Sequence, residues 1–153
     1  MAENQLTTDV SLKRSPYSSK VTLIPSAAYT ATDTPVVSQT IKGAEFYDAF
    51  NALLVITTLG GANNTVDVYF QGRAPNGTSW FDFAHMTQKS ATGSHMYTYR
   101  PAGAWEFLVQ DAALDAGVIN SVNMPSEIRV KVAMGGTVSI TYSLFLEFFR
   151  RGA

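Results

Sequence analysis

Asp82 and His85 stand three positions apart near the end of a strand-like run. A carboxylate and an imidazole at that distance could form a general base or supply two ligands to a metal ion. The same residue types also occur as ordinary polar side chains at a strand edge. His95 is the other histidine of the chain. It lies in Gly93-Ser94-His95-Met96, a string that looks like the scar of a cleaved tag but is internal and runs into a strand. Asp111 and Asp115 are spaced i,i+4 in a stretch without helical patterning, and Asp48 and Asp67 could approach across strands. Paired-carboxylate hydrolysis needs two carboxyls about 5–10 Å apart in a cleft. No spacing here demands that arrangement.

The remaining chemistry is excluded more firmly. Cysteine is absent, which removes disulfides, thiolate nucleophiles and Cys-type metal sites. Neither GxxxxGK[ST] nor GxGxxG occurs, and HExxH, GxSxG and the EF-hand loop are missing too. Gly60-Gly61 falls between two strand patterns rather than before a helix. The net charge is -1, so no global basic field holds nucleic acid. Lys13, Arg14 and Lys20, or Arg150 and Arg151, make only small basic clusters. Tyr69, Trp80, Phe81 and Phe83 could stack on bases, but Phe81 and Phe83 share one strand face while Trp80 takes the opposite one. No apolar run of about 18 residues occurs, and Met1-Ala2-Glu3-Asn4 shows no basic stretch leading into an apolar one. These readings predict no enzyme, no cofactor, no metal, no nucleic acid and no membrane partner.

The elements that must position these residues are strands. In 65–73, Val66, Val68 and Phe70 point one way, and Asp67, Tyr69, Gln71 and Arg73 the other. In 127–134, Ile128, Val130, Val132 and Met134 oppose Glu127, Arg129 and Lys131. In 137–149 one face holds Val138, Ile140, Tyr142, Leu144, Leu146 and Phe148. Alternation of period two marks half-buried strands. Further runs fall at 21–25, 35–41, 52–59, 80–85 and 96–100, and residues 52–59 are apolar on both faces. Turn signals separate them: Gly60 to Asn64, Pro75-Asn76-Gly77 and Gly135-Gly136. Lys42 to Asn51 fits either a helical turn or the start of a long strand, and 102–126 reads as a long connection. About eight strands at this spacing predict an antiparallel sandwich or barrel.

A chain of 153 residues suits one domain. Residues 1–20 are rich in Ser, Thr, Asn and Gln and cannot form a core of their own. They read either as a disordered tail or as an extended N-terminal arm that orders on a partner, and the arm is the reading carried forward, with 21–153 as the β-sandwich domain. Only 15% of the residues are charged, below the usual figure of about 25%, so much of the surface is expected to face other protein. Phe145 and Phe149 lie opposite the main apolar face of the last strand, and Trp105 and Phe107 sit in the long connection. Together with Lys13, Arg14 and Tyr17 of the arm, these are the interface candidates. Monomers seldom expose large contiguous apolar patches, so burial between subunits is expected, with cover by the N-terminal arm or the long connection as the alternative.

In chain order, several strings carry a resemblance: Ile24-Pro25-Ser26-Ala27-Ala28-Tyr29-Thr30-Ala31, Val66-Asp67-Val68-Tyr69-Phe70-Gln71-Gly72, Gly77-Thr78-Ser79-Trp80, Tyr99-Arg100-Pro101, Pro125-Ser126-Glu127-Ile128-Arg129-Val130 and Ser139-Ile140-Thr141-Tyr142-Ser143. The pattern resembles the small β-sandwich virion proteins encoded beside the major capsid gene of tailed bacteriophages, among them capsid decoration (cement) proteins. It covers about residues 21–149; the arm and the Phe-rich end lie outside it. The resemblance implies an all-β, antiparallel, jelly-roll-like sandwich without catalytic activity. Such a protein would sit on the outer capsid surface of the virion as a homo-oligomer, most often a trimer. It would bridge copies of the major capsid protein and stabilise the shell. Two other roles fit the same residues: a ring component of the neck or tail, and a carbohydrate-binding module with Trp80 and Tyr69 as stacking platforms.

Overall fold

In the computed structural model, residues 4–5, 10–12, 18–30, 35–60, 63–100, 124–136 and 139–150 are described. Their chain order is β1 (Asn4–Gln5), β2 (Val10–Ser11), β3 (Ser18–Tyr29), β4 (Val36–Val37), β5 (Ile41–Lys42), a 3-10 turn (Ala44–Phe46), β6 (Ala49–Thr58), β7 (Thr65–Arg73), β8 (Trp80–His85), β9 (Gly93–Tyr99), β10 (Glu127–Gly135) and β11 (Ile140–Phe149).

The strands form two sheets packed as an all-β sandwich. One has four strands in the order β3-β11-β6-β9, every neighbour antiparallel. The other has seven. Its centre is β8-β7-β10, antiparallel throughout, and β4 and β5 lie along the far side of β10. The run 35–41 thus reaches β10 as an interrupted strand, not the continuous one its composition suggests. Ser38 spans the break: its N–H donates to the Val130 carbonyl (2.8 Å), and its Oγ accepts from the Val130 N–H (2.9 Å). A side-chain oxygen here takes the place of a ladder carbonyl, so the buried backbone stays satisfied.

β1 pairs parallel with β4, and β2 parallel with β5. The Leu12 N–H continues that line to the Lys42 carbonyl (2.7 Å), and Leu12 is buried in the core. The described parts of segment 1–20 therefore lie along the sandwich, and β3 begins inside that segment at Ser18. The ambiguous stretch 42–51 contains both of its alternatives, the 3-10 turn and then β6. Tyr47 and Phe50 are buried and Phe46 is exposed.

The alternation read in sequence is the alternation that packs. Val66, Val68 and Phe70 of β7, Ile128, Val130 and Val132 of β10, and Ile140, Tyr142, Leu144, Leu146 and Phe148 of β11 are all buried. Phe50 lies at the centre. Its ring is 4.9 Å from Phe70 and 6.3 Å from Phe83 of the opposite sheet, and 5.2 Å from Tyr99 and 5.7 Å from Phe148 of its own. Aromatic pairs at these separations add to burial and lock the sheets in register. Two turns depend on backbone that L side chains avoid. Gly77 has φ 77° in the β7–β8 turn, where Asn76 Oδ1 accepts from the Thr78 and Ser79 N–H groups. Gly136, after β10, has φ 104°, and a Cβ there would collide with the Asn64 side chain.

Candidate interaction surfaces

Two outer faces remain once the core is assigned. On the seven-stranded sheet the outward residues of β7, β8 and β10 are mostly polar or aromatic, and several interlock. Gln71 Nε2 donates to Asp82 Oδ1 (2.7 Å), and Arg129 Nε donates to Gln71 Oε1 (2.8 Å). Gln71, Asp82 and Arg129 are all buried. The guanidinium carbons of Arg129 and Arg73 lie 4.4 and 4.8 Å from the Trp80 ring centre, within cation–π range. Arg73 also reaches Glu127 Oε2 at 2.6 Å. Cross-strand register explains the grouping: Arg73 faces Trp80, and Gln71 faces both Asp82 and Arg129.

His85 is placed differently from the sequence expectation. Its Nε2 lies 3.0 Å from Asp67 Oδ1, and Asp67 Oδ2 accepts from Gln88 Nε2 (2.7 Å). A register shift in β8 puts Asp82 opposite Gln71 and His85 opposite Tyr69, so the two residues of Asp82–His85 take separate partners. The His85 ring stacks on Tyr69 at 4.0 Å. Burial pushes the Tyr69 hydroxyl pKa up, and the charges of Asp67 and Asp82 push it further. Asp48 is exposed just before β6, in the other sheet from Asp67. Among the described residues no group of three or more His, Cys, Asp or Glu side chains could hold a metal ion. Asp111 and Asp115 lie outside the described residues.

The outer face of the four-stranded sheet is built from the same alternation with opposite chemistry. Thr22 of β3 faces Phe145 of β11, Phe145 faces Leu53 of β6, and Leu53 faces Met96 of β9. These four residues make one row across the whole sheet. Phe145 is 37% and Met96 63% exposed. Val55 lies beside the row, partly exposed and flanked by Ser143 and Ser94. Lys20, Glu147, Asn51 and Thr98 form a polar row next to it; Lys20 and Glu147 pair at 3.5 Å, and Thr98 Oγ1 donates to Asn51 Oδ1 (2.8 Å). A groove of about 390 Å³ runs between the two rows.

Of the interface candidates, Phe145 lies in the centre of this face. Phe149 is partly exposed on the same side of β11, with the Arg100 guanidinium 5.4 Å from its ring centre. Lys13, Arg14, Tyr17, Trp105 and Phe107 lie outside the described residues. Met96 and Leu53 were not singled out in the sequence, although residues 52–59 show apolar side chains on both faces. Met96 alternates with His95 and Tyr97, and that parity is its only signal. No protein-family model matches the chain, and no curated protein matches it.

Proposed function

We propose that this chain is a non-enzymatic structural protein of a virion. It binds the outer capsid through the apolar face of its four-stranded sheet and bridges neighbouring capsid subunits. The observation that carries this reading is the row Thr22–Phe145–Leu53–Met96, apolar over three strands and open to solvent. An open apolar row rimmed by polar residues is a surface for other protein.

The strand wiring supports the reading. With β4 and β5 counted as one strand and β3 as the first, the sheets run 1-8-3-6 and 2-7-4-5. That order is the one expected if the sandwich is a jelly roll of two Greek keys, an architecture used by viral capsid and lectin domains. Fold alone does not assign function; the apolar face and the resemblance to decoration proteins favour the capsid. Trp80 has two guanidiniums over its ring and Tyr69 is stacked on His85, so neither offers the free ring that a glycan platform needs.

The test is co-sedimentation with shells assembled from the major capsid protein alone. The unaltered chain is retained, and Phe145→Asp is retained at least about tenfold less. Burying a Phe side chain contributes about 1.5–3 kcal/mol, and 1.4 kcal/mol is a factor of ten. Equal retention of a folded Phe145→Asp variant would remove this face from the proposal. Retention by immobilised glycan instead of capsid would favour the lectin-like role.

A further inference from the structure

The edge of a sheet is a row of unpaired backbone N–H and C=O groups on which another chain can add a strand, and proteins usually blunt it. Among the described strands the two sheets present four edges, and three of them are blunted. Beyond β4 and β5 the sheet ends in β1 and β2, each of two residues. β8 carries a register shift and an acidic residue, Asp82. β3 carries Pro25, Lys20 and two register shifts against β11. β9 has none of these devices. Gly93–Tyr99 contains no proline and no Asp, Glu, Lys or Arg. It follows β6 over seven consecutive pairs without a shift. Ser94, Met96 and Thr98 are exposed, and among the described strands β9 pairs with β6 alone.

We infer that β9 joins two copies of this chain, the edge that the described strands leave unpaired running antiparallel to the partner's β9 about a two-fold axis at Met96. The strand is complementary to itself about that residue. Across the axis Ser94 faces the partner's Thr98, His95 faces the partner's Tyr97, and Met96 faces the partner's Met96. Hydroxyl meets hydroxyl, ring meets ring, and no like charges oppose each other. A two-fold contact of this kind is isologous and closes on itself, so it gives a dimer and not a fibre.

The pairing also extends the apolar row without a gap. Phe145, Leu53 and Met96 continue into the partner's Met96, Leu53 and Phe145, and two four-stranded sheets become one of eight strands. A contact through β3 would instead end the row at Thr22 and place Pro25 where a backbone N–H is needed. From the preceding section the inference takes only that the apolar face meets protein. It does not depend on a virion.

The chain has no cysteine, so Met96→Cys introduces a single thiol. Opposed residues of an antiparallel pair have Cα atoms about 4.5–5.5 Å apart, inside the disulfide range of about 4.4–6.8 Å. Under mild oxidation the full chain carrying Met96→Cys becomes almost wholly a covalent dimer. Phe145→Cys, two strands in from the edge, stays monomeric on a denaturing gel. Light scattering of the unaltered chain gives about twice 16.6 kDa. Ser94→Lys with Thr98→Lys returns the chain to monomer, and Ser94→Glu with Thr98→Lys restores the dimer.

A monomeric unaltered chain overturns the inference, and so does a mass of three chains. Cross-linking at Phe145→Cys in place of Met96→Cys also overturns it, because that result means face-to-face stacking. Capsid retention without the Met96→Cys cross-link sinks the edge contact alone and leaves the virion role standing.

Discussion

On the outer face of the seven-stranded sheet Gln71 is buried and joins Asp82 to Arg129, while on the outer face of the four-stranded sheet Phe145 and Met96 stand open. Both faces come from alternating strands around one core, yet each reverses the expected placement of polar and apolar groups. The difference separates two uses of surface. Polar groups can be withdrawn from water when they satisfy one another, and the result is rigidity. An apolar row cannot satisfy itself in that way, and only a second surface removes it from water. Stability is thus concentrated on one outer face, and the other is the face we propose for association.

Gln71→Leu tests the first half of this contrast and has the largest expected effect. The amide is the bridge between a buried carboxylate and a buried guanidinium. Its loss strips one hydrogen bond from each charge, at about 2–4 kcal/mol of unfolding free energy by urea titration. Phe145→Asp is the counterpart. It sits at a partly exposed position of a central strand, where the lost strand propensity and cross-strand packing cost about 1 kcal/mol of unfolding free energy, less than Gln71→Leu, while retention on capsid shells, if the proposed role holds, falls. If the two variants changed places, with Gln71→Leu neutral for stability and Phe145→Asp strongly destabilising, the division between the faces would be wrong.

The apolar half of this division was legible in the sequence and the polar half was not. Period-two patterning places Phe145 and Phe149 opposite the buried face of β11, and they are there. It also sets Phe81 and Phe83 against Trp80: both phenylalanines are buried, and Trp80 lies beneath two guanidiniums. The same patterning assigns Gln71 and Arg129 to the side away from the core, which ordinarily means water. Their burial depends on which strands are neighbours, and neighbours are fixed by tertiary topology. Once β7 is known to pair with β10, the opposed parity of Gln71 and Arg129 predicts their contact. Asp82 and His85 fail for a local reason. Regular alternation puts residues three apart on opposite faces; a register shift inside β8 brings both to the outer face, but opposite Gln71 and Tyr69, and each takes a partner from β7. Ser38 is similar, because a hydroxyl replacing a ladder carbonyl leaves no mark on hydropathy.

Tyr97 allows a smaller test where the two sheets meet. It belongs to β9, and its ring stacks on Phe70 of the opposite sheet at 5.4 Å. Burial pushes its hydroxyl pKa up to about 12 from the usual 10.0. Between those values the unfolded chain has released the proton and the folded chain still holds it. Unfolding free energy therefore falls as pH rises through this window, and the contribution is intact below pH 10. Tyr97→Phe removes it. Urea titrations at pH 9 and pH 11 are expected to show a smaller alkaline loss for the variant than for the unaltered chain. An equal loss in both would mean that Tyr97 titrates freely and that β9 is not packed on the core there.

The least effect is expected from the ion pair on the apolar side, and its value lies in the ratio it sets. Lys20 and Glu147 meet at 3.5 Å with side chains 78% and 38% exposed. Such pairs contribute about 0–1 kcal/mol and are screened by salt. Arg73 and Glu127 meet at 2.6 Å, are less exposed, and Arg73 lies over Trp80 as well. Lys20→Ala is expected to change unfolding free energy by less than about 0.5 kcal/mol. Arg73→Ala, which loses the ring contact along with the ion pair, is expected to lower it by about 1–2 kcal/mol. High salt should shrink the first value towards zero and leave most of the second, since a cation resting on an aromatic face is shielded from solvent ions. Equal losses with equal salt dependence would mean that the polar face is an ordinary solvated surface, and that the rigidity assigned to it comes from the core below.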